Sequence, residues 1–335
     1  MSLPIETPSL HRLRLRNFAG DADFEAMARV ANASFAADGR DIVRRVEDIR
    51  RDYANFASWD PVRDMAMAEV DGELVGYART TDWTTEDGAF IQGQIAFVHP
   101  AHRGRGVGRA LLQWLEARQR EIARARPEAS AWFHHSFVVQ GEHSRARLLQ
   151  RAGYAPARHF LWMERPHLDD IPQFGLPTGF EVRAVQPEHH RAIFDAHMEA
   201  LRGHWGIAPA KPGDFERWTT SRMFQPHLWQ VAWHIGTNQV AGQVKPWIDA
   251  EQNATQNRRR GYTEFISVGA PWRRRGIARA LVVRALRAQR DAGMNESALG
   301  VDAHNPHEAA RLYEACGFRT TERNAAWRKP VDLGA

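Results

Sequence analysis

Trp272-Arg-Arg-Arg-Gly-Ile-Ala278 has a counterpart earlier in the chain, His102-Arg-Gly-Arg-Gly-Val-Gly108, and the pair decides the fold. Each stretch follows an apolar, strand-like run and opens a helical pattern, Arg109 to Arg120 and Arg279 to Arg290. Both satisfy Arg-x-x-Gly-x-Gly/Ala, through Arg103, Gly106 and Gly108 and through Arg273, Gly276 and Ala278. A strand that turns through small residues into a helix presents unpaired backbone N–H groups at the positive end of the helix dipole. That is an anion site suited to a pyrophosphate. Two such sites imply a duplicated phosphate-binding domain; the plainer alternative is an arginine-rich helix start that merely caps itself.

Other glycine motifs do not fit. A dinucleotide fingerprint needs a third glycine three residues after the second, and a P-loop needs Gly-Lys-Ser/Thr. Neither stretch contains a lysine. What remains resembles the acyl-coenzyme A signature of the GNAT superfamily of N-acetyltransferases. The resemblance implies a mixed α/β (α+β) fold of two tandem GNAT-type domains, each a largely antiparallel sheet flanked by helices. It implies acetyl-CoA as co-substrate. Expected coenzyme contacts are Arg103, Gly104, Arg105, Gly106, Val107, Gly108 and Arg109 in the first loop. In the second half they are Ile266, Ser267, Val268, Arg273, Arg274, Arg275, Gly276, Ile277, Ala278 and Arg279.

The repeat extends along the chain. Arg103 answers to Arg273 and Val98 to Val268 at one constant offset, and Gly153-Tyr154 answers to Gly317-Phe318 at a slightly shorter one. The first half reads as a strand (His11 to Arg16), helices at Asp21 to Ala37 and Ile42 to Phe56, and a hairpin. Its strands are Met65 to Val70 and Leu74 to Asp82, turning at Asp71-Gly72. A strand from Phe90 to Val98 enters the loop and its helix; Ala131 to Val139, a short helix and a last β segment follow. The second half repeats this order: strand Phe180 to Val185, helix Pro187 to Leu201, and a hairpin of Trp229 to Ile235 with Val240 to Ile248. After it come strand Tyr262 to Val268, the loop and helix, strand Ala298 to Val301, helix His307 to Cys316 and a terminal β segment. The expected division is residues 1–165, a proline-rich linker at 166–178, and 179–335.

Length and composition agree with two domains of a globular protein. No signal peptide or membrane-spanning apolar run is read, and Cys316 is the only cysteine, so a cytoplasmic setting without membrane contact is expected. The net charge of +5 is almost wholly arginine, with Lys211, Lys245 and Lys329 the only lysines. The arginines are spread and interleaved with acids, so a nucleic-acid partner is not expected. Arg258-Arg259-Arg260 forms a compact basic run, in a polar loop from Asp249 to Gly261. No metal-ligand spacing is present, and His134-His135 reads as structural. A monomer or homodimer is expected.

Acetyl transfer to an amine needs the ammonium to lose a proton, at a cost of about 4.6 kcal/mol at pH 7 for an alkylamine. A carboxylate near the acceptor can take it. Glu264 alternates with Ile266 and Val268 on the strand entering the second loop, and an apolar face would raise its pKa. An ordinary strand glutamate would look the same. Tyr313 lies in Asn305-Pro-His-Glu-Ala-Ala-Arg-Leu-Tyr-Glu-Ala-Cys-Gly-Phe318, which resembles the GNAT closing motif whose tyrosine faces the coenzyme sulfur. A tyrosine packing the last helix is the other reading. Asn305 would contact the coenzyme or simply cap its helix. In the first half Gln94 and Leu149 stand at these two positions and can neither accept nor donate the proton. The expectation is therefore a degenerate first half and a catalytic second half, with Glu264 as base and Tyr313 as acid. His197, His204-Trp205-Gly206 and Trp218 are candidate acceptor-side residues. The leading function is N-acetylation of a small-molecule amine. Alternatives are a peptide or protein amine acceptor, and a non-catalytic acyl-CoA sensor.

Overall fold

The computed structural model describes residues 12–40, 42–54 and 60–333. The chain forms two compact units: one runs to Ala157 and takes in the chain from Ala325 onward, and the other is Arg158–Asn324.

The first unit opens with β1 (Leu13–Arg16), α1 (Phe24–Ala37), α2 (Val46–Ala54) and α3 (Pro61–Asp64). Residues His11, Asn55 and Phe56, which the expected elements included, lie outside the described residues. Next come β2 (Met65–Val70), β3 (Glu73–Thr84), β4 (Ala89–Val98), α4 (Val107–Arg124), β5 (Ala131–Val138) and α5 (His143–Arg151). The β2–β3 turn is tight because Asp71 and Gly72 are both left-handed, with φ of 53° and 82°. Strands β1 to β4 are antiparallel, and β5 runs parallel to β4 from Ala89 to Gln94 only. Beyond Gln94, β4 keeps β3 as its partner up to Val98, while β5 has diverged. Helix α4 lays Val107, Leu111 and Leu115 on one face of this sheet, and α1 lays Met27, Val30 and Ala31 on the other. The spacing of these residues is that of an amphipathic helix.

The second unit begins within β6 (Ala155–Arg165) and continues through β7 (Phe180–Val182), α6 (His190–Ala200), α7 (Asp214–Thr219), β8 (Gln230–His234) and β9 (Gln239–Val244). Then follow β10 (Trp247–Ile248), α8 (Ala250–Thr255), β11 (Arg260–Tyr262), β12 (Ser267–Val268), α9 (Ile277–Asp291), β13 (Glu296–Asp302), α10 (Ala309–Ala315) and β14 (Arg319–Pro330). One antiparallel sheet has the order β12-β9-β8-β7. In the other, β11 lies between β10 and a parallel β13, and β13 pairs with residues 160–165 of β6. Helix α9 buries Ile277, Leu281, Val282, Val283 and Leu286 against Met163, Leu299, Val301 and Phe318. Each such side chain contributes roughly 1.5–3 kcal/mol by leaving water.

Three differences from the sequence reading are physical. The last β segments serve the opposite halves: β6 pairs with β13 in the second unit, and residues 325–330 of β14 pair with β5 in the first. Residues 166–178 are no free linker, because Leu168 is buried and Ile171, Phe174 and Leu176 pack on the core of the second unit. The expected strand Tyr262 to Val268 is two strands in two sheets. Its first part closes on β13 with Thr263 N–H donating to Ala298 O (2.9 Å); then Phe265 turns left-handed (φ 51°), and Ser267 and Val268 join β9. The polar stretch from Asp249 also holds structure, since the Asp249 carboxylate caps α8 at Gln252 N–H (3.0 Å).

Candidate active site

The two loops share one backbone course. Arg103 and Arg273 are extended, Gly104 and Arg274 left-handed (φ 75° and 63°), and Gly106 and Gly276 left-handed again (φ 95° and 86°) as N-caps of α4 and α9. Neither helix start is capped by a side chain. Among the described residues the backbone N–H groups from Arg274 to Arg279 have no acceptor, nor do those from Gly104 to Arg109. A Cβ on Gly276 would meet nothing within 4 Å. Free donors converging at the start of a 15-residue helix form an anion cradle that a pyrophosphate fits.

The signature arginines do not face that cradle. Arg273 donates to Val268 O and Ala200 O (both 3.1 Å) and meets His307 Nε2 at 3.2 Å. Arg103 likewise reaches Val98 O (3.4 Å), Ser34 Oγ (2.7 Å) and both oxygens of Asp38 (2.6 and 2.8 Å). Each ties its loop to the preceding strand and to the end of the unit's first helix. Arg274 and Arg275 are exposed, and the Arg279 guanidinium lies 4.0 Å from the centre of the Phe174 ring.

Beside the loop, the break at Phe265 sets Glu264 and Ile266 out of the alternation the sequence suggested. The half-buried Glu264 carboxylate accepts from Trp247 Nε1 (3.0 Å), and burial raises its pKa despite that bond. The Trp247 ring stacks on Tyr262 at 4.4 Å. Ser267 Oγ meets His197 Nδ1 at 3.0 Å, so β12 is tied to α6. Burial first, and then the Lys245 charge, hold His197 well below its usual pKa.

Tyr313 is buried on α10 beside Cys316 and Phe318, and burial pushes its pKa up, so the phenol keeps its proton. Asn305 does not cap α10; its Oδ1 accepts from His307 N–H (2.9 Å) in the turn before the helix, which starts behind a left-handed Glu308. Three of the acceptor-side candidates, His204, Trp205 and Trp218, have different neighbours. His204 is half-buried, its pKa lowered by burial and then by Arg273. Trp205 lies against Phe160 and under the Arg158 guanidinium. Trp218 joins an aromatic group with Phe194, Phe215, Phe224 and Trp229.

The sequence did not single out Lys245. Its Nζ sits 4.9 Å from the Trp218 ring centre, 5.4 Å from Phe265 and 5.8 Å from Trp229, and the residue is 1% exposed. A signal was present: a lone lysine directly after the largely buried strand Gln239–Val244 of an arginine-dominated chain.

In the first unit the positions that answer to the catalytic candidates are filled differently. Gln94 donates to Gln119 Oε1 (2.9 Å) and Tyr154 OH (2.8 Å), His134 Nδ1 meets the same Gln119 oxygen at 2.6 Å, and Leu149 is core. Burial lowers the pKa of His134 to about 3 and of His135 to about 4, which keeps both neutral. Arg260 of the basic run is held by Glu164 (2.7 Å) and Glu296 (2.8 Å). Among the described residues no cluster of His, Cys, Asp or Glu could hold a metal ion, and no helix is long and apolar enough to cross a membrane.

This duplicated strand–loop–helix unit, with its uncapped glycine start, is the fold of an N-acetyltransferase. The family model described as Acetyltransferase (GNAT) domain matches residues 62–156, and that of the Acetyltransferase (GNAT) family matches residues 190–318. The mycothiol acetyltransferase of Kineococcus radiotolerans is 31% identical over 88% of this chain and 89% of its own. That of Geodermatophilus obscurus is 28% identical over 92% and 94%. A GCN5-related N-acetyltransferase from Sphaerobacter thermophilus superposes with a TM-score of 0.75 at 28% identity, covering 98% of each chain. A tandem GNAT protein from the clavulanic acid biosynthesis pathway shares the fold at 17% identity, with a TM-score of 0.67 over 96% of this chain and all of its own. The chain belongs to the GNAT acetyltransferases and carries two GNAT domains in tandem.

Proposed function

We propose that the second unit transfers an acetyl group from acetyl-CoA to a primary amine of a small molecule. The observation that carries this reading is the juxtaposition at Phe265, where the strand leaves one sheet for the other directly before the uncapped Gly276 cradle. The pyrophosphate is held by the backbone N–H groups of Arg274 to Arg279, with Arg274 and Arg275 adding charge from solvent. Glu264, its pKa raised by burial, accepts the ammonium proton. The amine attacks the thioester carbon, the C–S bond breaks, and the leaving sulfur takes its proton from the Tyr313 hydroxyl. Asn305 shapes the turn before α10 through its bond to His307. The first unit keeps the cradle but not these two groups, and serves as a coenzyme-binding or structural half.

The curated relatives are named for mycothiol, a small molecule, which supports a small-molecule acceptor over a peptide or protein. Calorimetric titration of acetyl-CoA into the wild type, Gly106→Glu and Gly276→Glu tests the cradles, with Gly106→Ala and Gly276→Ala adding the same left-handed strain without charge. Loss of a site in Gly276→Glu but not in Gly276→Ala is expected. A wild type that binds no acetyl-CoA ends the proposal. Thiol release in the presence of an amine panel then identifies the acceptor.

A further inference from the structure

The chain uses arginine for nearly every basic role: of 45 basic residues only three are lysines. Those three occupy three different settings. Lys211 is exposed. Lys329 pairs with both oxygens of Glu116 at 3.0 Å. Lys245 is 1% exposed, and among the described residues its amine has no hydrogen bond and no ion pair. The rings of Trp218, Trp229 and Phe265 surround it, and His197 lies near enough to feel its charge. A buried, unpaired ammonium is costly, and the same cation could have been supplied by arginine, as elsewhere in this chain. The property lysine has and arginine lacks is the ability to shed its proton and become a nucleophile. Burial alone pushes the Lys245 pKa down to about 7, so the free amine is abundant near neutrality.

Two further features belong to the same cage. The Lys245 backbone N–H donates to Glu264 O (3.0 Å), and Phe265, one wall of the cage, is the left-handed residue at which the strand changes sheets. Phe265 therefore belongs both to the cage around this amine and to the break that precedes the proposed coenzyme cradle. A second wall, Trp229, is 4% exposed and its indole Nε1 has no hydrogen-bond partner among the described residues. The cage thus holds an amine that is partly unprotonated near neutrality and an unused N–H donor, the two groups an amide carbonyl formed there would require.

We propose that Lys245 is an internal acyl acceptor, acetylated by the acetyl thioester bound in its own unit. The inference rests on the transferase reading above. The Nζ lone pair attacks the thioester carbonyl carbon, an N–C bond forms and the C–S bond breaks. The sulfur leaves as thiolate and is protonated by the proton that the nitrogen gives up, so one amide and one free thiol result. The rotatable side chain lets the amine leave its cage to react, and the neutral amide that returns removes the cost of a buried charge.

The test is peptide mapping by mass spectrometry of the purified chain after incubation with acetyl-CoA, with calorimetric binding of acetyl-CoA measured on the same sample. The expected result is one acetyl group on Lys245, little on Lys211 or Lys329, a rate per chain independent of protein concentration, and loss of the modification in Gly276→Glu. Acetyl-CoA binding with Lys245 left bare overturns the inference and leaves the transferase reading standing; absence of binding overturns both. Equal acetylation of Lys245 in Gly276→Glu also overturns it, because the acetyl group would then come from solution. The wild-type chain alone decides the matter, so a fold defect in a Lys245 variant does not obscure the answer.

Discussion

Tyr313 and Gly317 sit four residues apart at the end of α10, and each makes a separate claim testable by one substitution. Tyr313→Phe keeps the buried ring and removes only the hydroxyl. We expect turnover to fall by about tenfold to a hundredfold, in the range of a lost general acid, with acetyl-CoA affinity unchanged by calorimetry. Unchanged turnover would assign the ring to packing alone. Gly317 is left-handed (φ 88°), and a Cβ there would stand 1.5 Å from Arg165 Nη1, whose buried guanidinium donates to Cys316 O (2.6 Å). Gly317→Ala should therefore cost about 3 kcal/mol or more in urea unfolding, since strain and a displaced buried charge add. Lys245 makes a pH-dependent claim. Its folded pKa of about 7 lies below the unfolded value of 10.5, so the unfolded state binds the extra proton between them and stability rises with pH through that window. Lys245→Met should gain on the order of 4 kcal/mol relative to the wild type below about pH 6, a gain that fades toward about pH 10. A pH-independent difference would show that the amine is not desolvated in solution.

At the scale of elements, the loop arginines separate two roles. Arg273 ties the cradle to Val268 and Ala200 without facing it. Arg273→Ala should weaken acetyl-CoA binding about tenfold while leaving the salt dependence of binding unchanged, whereas Arg274→Ala with Arg275→Ala should flatten that dependence. The order of strands and helices was legible because alternation and helical spacing are local, and the loop–helix junction was legible twice over. The Phe265 break was not: a left-handed phenylalanine is set by the sheets it joins, and nothing in Glu264-Phe-Ile-Ser267 announces it. For the same reason, Glu264 and Tyr313 could be proposed from type and spacing, while the aromatic group around Trp218 and the enclosure of Lys245 appeared only with tertiary packing.

For the whole molecule, the unread feature is which strand closes which sheet, since a strand's own pattern names a face and not a partner. β5 finds its antiparallel neighbour in residues 325–330, from Ala325 opposite Val138 to Pro330 opposite Phe133. Truncation after Asn324 should therefore loosen the first unit selectively. Amide exchange should quicken in Ala131–Val138 and barely change in Glu296–Asp302; equal loss in both would deny the assignment. Synthesis runs from the amino terminus, and most domains fold as they emerge. Here the ribosome delivers everything the second unit needs while the first still lacks the strand beside β5. The half made first is thus finished last: its edge stays unpaired through the translation of the intervening residues, an interval in which a chaperone, or another nascent chain, could claim it.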